Sequence, residues 1–193
     1  IAYTVPVNAN QDFTVAAPKT GLSSGTVAFE FAHMLSKISI TASLHQDLLD
    51  MGYALSTTGL TAKLDVKSTG GTTDPKAATA WTSPNTTAAS YTGATSYMIM
   101  PQSSIGCKVK VTGGITITRN GVEIYSGDLN EYTIATGNVT GDQFAMGKHY
   151  MLNLTISDTS TGGGGNIFNE ITFSADVADW DTPAGTDTPL VQP

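Results

Sequence analysis

The chain is poor in the residues from which catalytic and nucleic-acid-binding surfaces are built. Its 193 residues include one cysteine (Cys107), one arginine (Arg119) and three histidines (His33, His45 and His149). A lone cysteine closes no internal disulfide and builds no structural zinc site. Its plain reading is a buried thiol acting as a small hydrophobe, and the redox compartment stays open. Charged residues make up 13% of the chain, about half the usual share. The net charge is −7. A surface that tracks phosphates needs clustered Lys and Arg, so nucleic acid is excluded as a partner. No apolar run approaches the roughly 20 residues of a membrane-spanning helix. There is no signal-peptide apolar core, and the first residue is Ile1 rather than Met, as expected of a processed or trimmed chain.

Serine, threonine, glycine and asparagine fill the gap left by charge, a style that suits sheet surfaces and turns. The dominant period is two. Val27, Phe29 and Phe31 alternate with smaller or polar neighbours, as do Ile38, Ile40, Ala42 and Leu44. So do Leu60, Ala62, Leu64 and Val66, then Tyr150, Leu152, Leu154 and Ile156, then Ile171, Phe173, Ala175 and Val177. Each predicts a strand with one face on a core and the other in water. Trp180 falls on the wrong parity for the last run, which predicts a bulge or a strand end near Ala178 and Asp179.

Turn chemistry agrees. Asn120-Gly121 between two apolar runs predicts a tight type I′ hairpin. Gly113-Gly114 breaks a strand or marks a bulge, and the glycines at 162–165 read as a flexible connection. Gln46 to Ala54 permits a short helix. Residues 68–96 read as an irregular excursion with one short strand around Ala80 and Trp81. Roughly nine to eleven strands with at most one helix predict an all-β sandwich. It must be mostly antiparallel, since there are too few helices for parallel crossovers. No repeat of roughly 20 to 50 residues points to a propeller or solenoid.

Catalytic and metal sites are not expected. The histidines show no HxH or HExxH spacing, there is no GxSxG, and the glycine run lacks the Lys-Ser/Thr of a phosphate loop. Asp176, Asp179 and Asp181 cluster without the order of a calcium loop and read as a solvated acidic edge. Trp81, Tyr91, Tyr97 and Trp180 could form a sugar-stacking platform, but packing is the plainer reading. No cofactor is implied.

Two segments go further. One runs Val27-Ala-Phe29-Glu-Phe31-Ala-His33-Met-Leu35-Ser-Lys37-Ile38-Ser-Ile40. The other runs Gly147-Lys148-His149-Tyr150-Met-Leu152-Asn-Leu154-Thr-Ile156, followed by Val177-Ala-Asp179-Trp180. With Pro101-Gln102 between them, they resemble the fimbrillin (Mfa-like) family of Bacteroidales surface proteins. In that family an F-x-H-x-L-S-K-I strand opens the C-terminal domain, and G-K-x-Y-x-L-x-L-x-I and V-x-D-W strands close it. The resemblance marks Phe29, Phe31, Leu35, Ile38, Tyr150, Leu152, Leu154 and Trp180 as motif core residues. It implies a transthyretin-like or Ig-like sandwich over 26–181, with an N-terminal arm over 1–25 and an extended tail over 182–193. Typical members carry a whole sandwich before the F-x-H strand, whereas 25 residues precede it here.

The resemblance further implies a subunit of type V pili, with no enzymatic activity, at the cell surface. Its precursor would be an outer-membrane lipoprotein whose lipid is not present in this chain. Its partners would be related pilin subunits, joined by insertion of a terminal strand into a neighbour's groove, and a host or bacterial surface glycan or protein. From the residues, the arm is the leading donor, or else the acceptor's own first strand. Ile1, Tyr3, Val5 and Val7 share one side, and Pro6 restricts the strand to an edge. The plainer alternative is an intramolecular edge strand. The rival donor is the tail with Leu190 and Val191, which the resemblance favours although its apolar content is thin. The alternative function is a monomeric adhesin or glycan-binding module, which predicts satisfied termini and an exposed aromatic patch around Trp81 and Tyr91. A hydrolase predicts convergent carboxylates or a pocket histidine.

Overall fold

The computed structural model describes residues 1–21, 26–73, 81–82, 84–157 and 170–180. In chain order the strands are β1 (Ala2–Thr4), β2 (Thr14–Ala16), β3 (Phe31–His33) and β4 (Ser36–Leu44), then helix α1 (Gln46–Asp50). Next come β5 (Tyr53–Ser56), β6 (Thr61–Val66), β7 (Gly70–Thr72), β8 (Ala89–Ala94), β9 (Ser96–Ile99) and β10 (Gln102–Ser103). The chain continues through β11 (Lys108–Gly113), β12 (Ile115–Arg119), β13 (Val122–Gly127), β14 (Tyr132–Thr133), β15 (Gln143–Phe144), β16 (Lys148–Ser157) and β17 (Glu170–Asp179). The count exceeds the expected nine to eleven because several strands are only two or three residues long.

Three sheets carry the body: β17-β16-β4-β9, β14-β11-β6-β8 and β13-β12-β5. Period-two alternation builds the core between them. Ile38 and Ile40 of β4 and Leu152, Leu154 and Ile156 of β16 join Leu64 and Val66 of β6, Val109 and Val111 of β11, and Ile115 and Ile117 of β12 in one buried cluster. Each such aliphatic side chain contributes roughly 1.5–3 kcal/mol on burial. The fold is all-β and mostly antiparallel, with one instructive exception among the described strands. β4 and β16 pair in parallel, from Lys37↔His149 to Leu44↔Ile156. A parallel pair needs a long crossover, which is usually but not necessarily a helix. Here the connection runs from residue 45 to residue 147 and includes the strands of the β14-β11-β6-β8 and β13-β12-β5 sheets.

Several local readings find their counterparts. Asn120 and Gly121 both have positive φ, 50° and 80°, as the type I′ turn between β12 and β13 requires. The β11–β6 register shifts between Val111 and Gly113, so the Gly113 bulge is present. Helix α1 is capped by His45, whose side chain accepts from the Asp47 N–H. β17 pairs with β16 without a break as far as Asp179, so Trp180 marks a strand end, not a bulge. Other readings are corrected. The stretch 68–96 holds β7 and β8 as well as the Thr72–Thr82 bridge, so it is more regular than its composition suggested. Ala80, Asp181, the Ile171 side chain, the glycine run 162–165 and the tail with Leu190 and Val191 lie outside the described residues.

Candidate assembly site

The N-terminal segment is seated on its own chain. β1 pairs antiparallel with β7, with Ala2↔Thr72, Tyr3↔Gly71 and Thr4↔Gly70 in register. The Thr73 N–H donates to the Ile1 carbonyl at 2.9 Å, and the Val5 N–H donates to the Thr69 carbonyl at 2.7 Å. The seat depends on two glycines. A Cβ on Gly70 would lie 2.6 Å from the Tyr3 carbonyl oxygen, and one on Gly71 would lie 3.1 Å from Met100 Cε and 3.3 Å from Trp81. The backbone there is shaped by Asn85, whose Oδ1 accepts from the Thr69 and Gly70 N–H groups at 3.0 and 3.2 Å.

Side chains from the arm complete a small apolar cluster. Val5, Leu35 and Met100 are its buried members, with Tyr3, Phe13, Trp81, Met98 and Trp180 packed against them. Tyr3 stacks on Phe13 at 4.4 Å between centroids and 10° between planes. Trp81 lies 6.2 Å from Tyr3 and 5.9 Å from Phe13. Its indole N–H donates to the Met34 carbonyl at 2.5 Å. Burial, then the neighbouring Asp12 charge, raises the Tyr3 pKa. Burial, then Tyr3, pushes Tyr91 up to about 12. Beyond Pro6 the arm is pinned further, besides the Asp12–His33 contact described below. Asn8 Oδ1 accepts from the Thr92 N–H at 2.8 Å, the Phe13 carbonyl accepts from the Met34 N–H at 2.8 Å, and β2 pairs with β3.

Of the four candidate donor residues, Val5 is buried and Tyr3 half-buried, while Ile1 and Val7 are exposed. The alternation holds through Tyr3 and Val5. It then ends in the Pro6–Asn10 turn, where Asn8 and Asn10 take positive φ. Among the motif residues, Leu35, Ile38, Tyr150, Leu152 and Leu154 are buried and Trp180 is half-buried. Phe29 and Phe31 depart from the expectation. They are 49% and 55% exposed, because the segment before β3 lies beyond the main sheets and β3 pairs with β2 alone among the described residues. Tyr91 is buried and Trp81 packed, so neither forms the exposed platform considered from the sequence. Sequence reasoning missed Phe13, Asn85 and the Gly70-Gly71 seat. No periodic signal marks them, since each acts through a partner distant in sequence.

Two Asp–His pairs are present among the described residues: exposed His45 beside Asp47 at the start of α1, and the more buried His33 with Asp12. His33 Nδ1 lies 2.7 Å from Asp12 Oδ2. The carboxylate only accepts, so Nδ1 donates and Nε2 is left as the free position; Nε2 is buried without a partner among the described residues. A catalytic dyad presents that atom to a nucleophile. His149 instead bonds Ser39 across the back of the β4–β16 pair at 2.8 Å. Asp179 pairs with Lys148. Among the described residues there is no group of three or more His, Cys, Asp or Glu side chains that could hold a metal ion.

Fold and site together define a mostly antiparallel β-protein with its N-terminal strand laid on a short edge strand over a separate apolar cluster. The chain belongs to the fimbrillin-like family, whose model matches residues 2–180. It is also similar to a crystal structure from Bacteroides uniformis provisionally described as a cell adhesion protein. That likeness has 22% identity and a TM-score of 0.61, and covers 93% of this chain and 66% of that one. Similarly described proteins from Bacteroides ovatus and Bacteroides eggerthii match at 15% and 12% identity with TM-scores of 0.37 and 0.36. They are covered over 49% and 57% of their length, against 81% and 79% of this chain. Only the first likeness is close enough to show the fold. The chain thus spans less than two thirds of that relative's length and about half of the other two. No curated protein matches.

Proposed function

We propose that this chain is a structural subunit of a cell-surface pilus that serves adhesion and assembles by exchange of a terminal strand. The observation that carries the reading is the separateness of the cluster under β1. Val5, Leu35 and Met100 form their own buried group, apart from the main core. Lifting 1–7 therefore uncovers the β7 edge and an apolar seat without opening the sandwich. An exposed strand edge beside an apolar groove is a template for an added strand from another subunit. Such a head-to-tail contact need not close on itself and generates a filament. In this reading β1 is the acceptor's own first strand before assembly, or the donor after it. The partners are related pilin subunits, the precursor reaches the outer membrane on a lipid, and the protein performs no catalysis.

A second reading, a monomeric adhesin or glycan-binding module, is favoured by one observation: β1 already has its partner within the chain. Negative-stain electron microscopy of the intact protein and of a form lacking residues 1–8 separates the two. Filaments that vanish on truncation support N-terminal strand exchange. Filaments that survive shift the donor role to the tail around Leu190 and Val191. Monomers in both samples favour the module.

A further inference from the structure

We propose that His33 is a latch joining the N-terminal arm to the end of β17, so that lifting the arm loosens Trp180 and the end of that strand. Its use in assembly rests on the reading above, extended from residues 1–7 to the arm as far as Asp12; the coupling itself does not. The His33 ring is held from two sides. Asp12, on the arm, binds Nδ1 at 2.7 Å. Trp180, just past β17, stacks on the ring with centroids 4.1 Å apart and planes 9° from parallel. Nε2 is buried without a partner among the described residues, so Asp12 is the polar group that holds the imidazole in place.

The adjoining backbone repeats the arrangement. The Met34 N–H donates to Phe13 of the arm at 2.8 Å. The Leu35 carbonyl accepts from the Gly147 N–H at 2.9 Å, and the Gly147 carbonyl accepts from the Trp180 N–H at 3.0 Å. Residues 33–35 therefore touch the arm on one side and, through Gly147 and the His33–Trp180 stack, the end of β17 on the other. When the arm leaves, the buried imidazole loses Asp12 and neither ring nitrogen has a partner. Unpaired buried polar groups are costly, so the ring turns to water and the stack on Trp180 goes with it. The end of β17 is suited to respond. Asp176, Val177, Ala178 and Asp179 are all exposed, and thinly packed strand ends open first.

Amide hydrogen exchange on the monomer, at concentrations without filaments, tests this whether or not the protein polymerises. Asp12→Ala is expected to speed exchange over 175–180 by about tenfold, as for loss of one charge-assisted hydrogen bond, with 61–66 unchanged. Asn8→Ala frees the arm from Thr92 without touching His33, and should speed exchange in the arm alone. His33→Phe keeps a flat ring for Trp180 but drops Asp12. Adding Asp12→Ala to it should change nothing over 175–180, the non-additivity expected of a coupled pair. The latch is overturned if Asp12→Ala leaves 175–180 at the wild-type rate, or if Asn8→Ala speeds that segment equally. It is also overturned if Asp12→Ala acts undiminished in the His33→Phe background, a test that stands even if the single variant loosens the whole domain.

Discussion

The two apolar clusters of the molecule differ in how their parts are supplied. In the main core, β4, β6, β11, β12 and β16 each contribute at least two buried side chains at alternate positions. Losing one strand's contacts there opens a face of the sandwich. The cluster under the N-terminal arm has three buried members, Val5, Leu35 and Met100, taken from three separate places in the chain. Its walls are aromatic rings and its floor is the Gly70-Gly71 backbone. Stability is not uniform across a fold, and segments with few buried contacts open at lower cost than core strands. The main core fixes the shape of the domain, while the second cluster fixes where one terminal strand lies.

Leu152→Ala should produce the largest effect. Leu152 is fully buried in β16, and truncation there should destabilise the fold by about 2–5 kcal/mol in denaturant titration. The folded variant should still protect its arm from protease. Arm release without global unfolding would mean that the clusters are one unit. Gly70→Ala should have the next largest effect, in the opposite place. Its Cβ meets the Tyr3 carbonyl oxygen at 2.6 Å and Thr4 Cα at 3.1 Å, backbone atoms that cannot swing aside. The expected result is an unseated β1, seen as protease sensitivity near Tyr3, with a loss of about 1.5–3 kcal/mol for exposing the Val5 side chain and its neighbours. A loss as large as that of Leu152→Ala would erase the distinction.

The difference between the clusters also explains what could be read from the sequence. Strand period reports which face of a segment is apolar, so β4, β6 and β16 were legible with the correct inward residues. The Asn120-Gly121 turn was legible because its backbone conformation limits the residue type. Period does not report what covers the apolar face. Val27, Phe29 and Phe31 alternate as well as Ile38 and Ile40 do, yet they lie outside the main layers. Nor does it report strand direction, and the parallel β4–β16 pair was hidden for that reason. The second cluster was the least legible. Tyr3 meets Phe13 and Trp81, and His33 meets Trp180, through contacts between distant positions that no local pattern encodes.

The smallest effect tests whether acid acts on the main sheet. His149 lies on the back of the β4–β16 pair, and its pKa is lowered from 6.5 by burial and then by the Lys37 charge. The folded state therefore disfavours the imidazolium relative to the unfolded chain. Above 6.5 both states hold a neutral ring and the shift has no consequence. As pH falls below that value the unfolded chain takes up the proton first, so stability declines until the folded-state pKa is passed. His149→Gln should remove this part of the acid sensitivity, seen as a flatter dependence of the denaturation midpoint between about pH 7 and pH 5. Because His149 binds Ser39 across the central strand pair, the change should appear in the global transition. If it appears instead as release of the arm with the global midpoint unmoved, acid is acting at the second cluster and the division between the two must be redrawn.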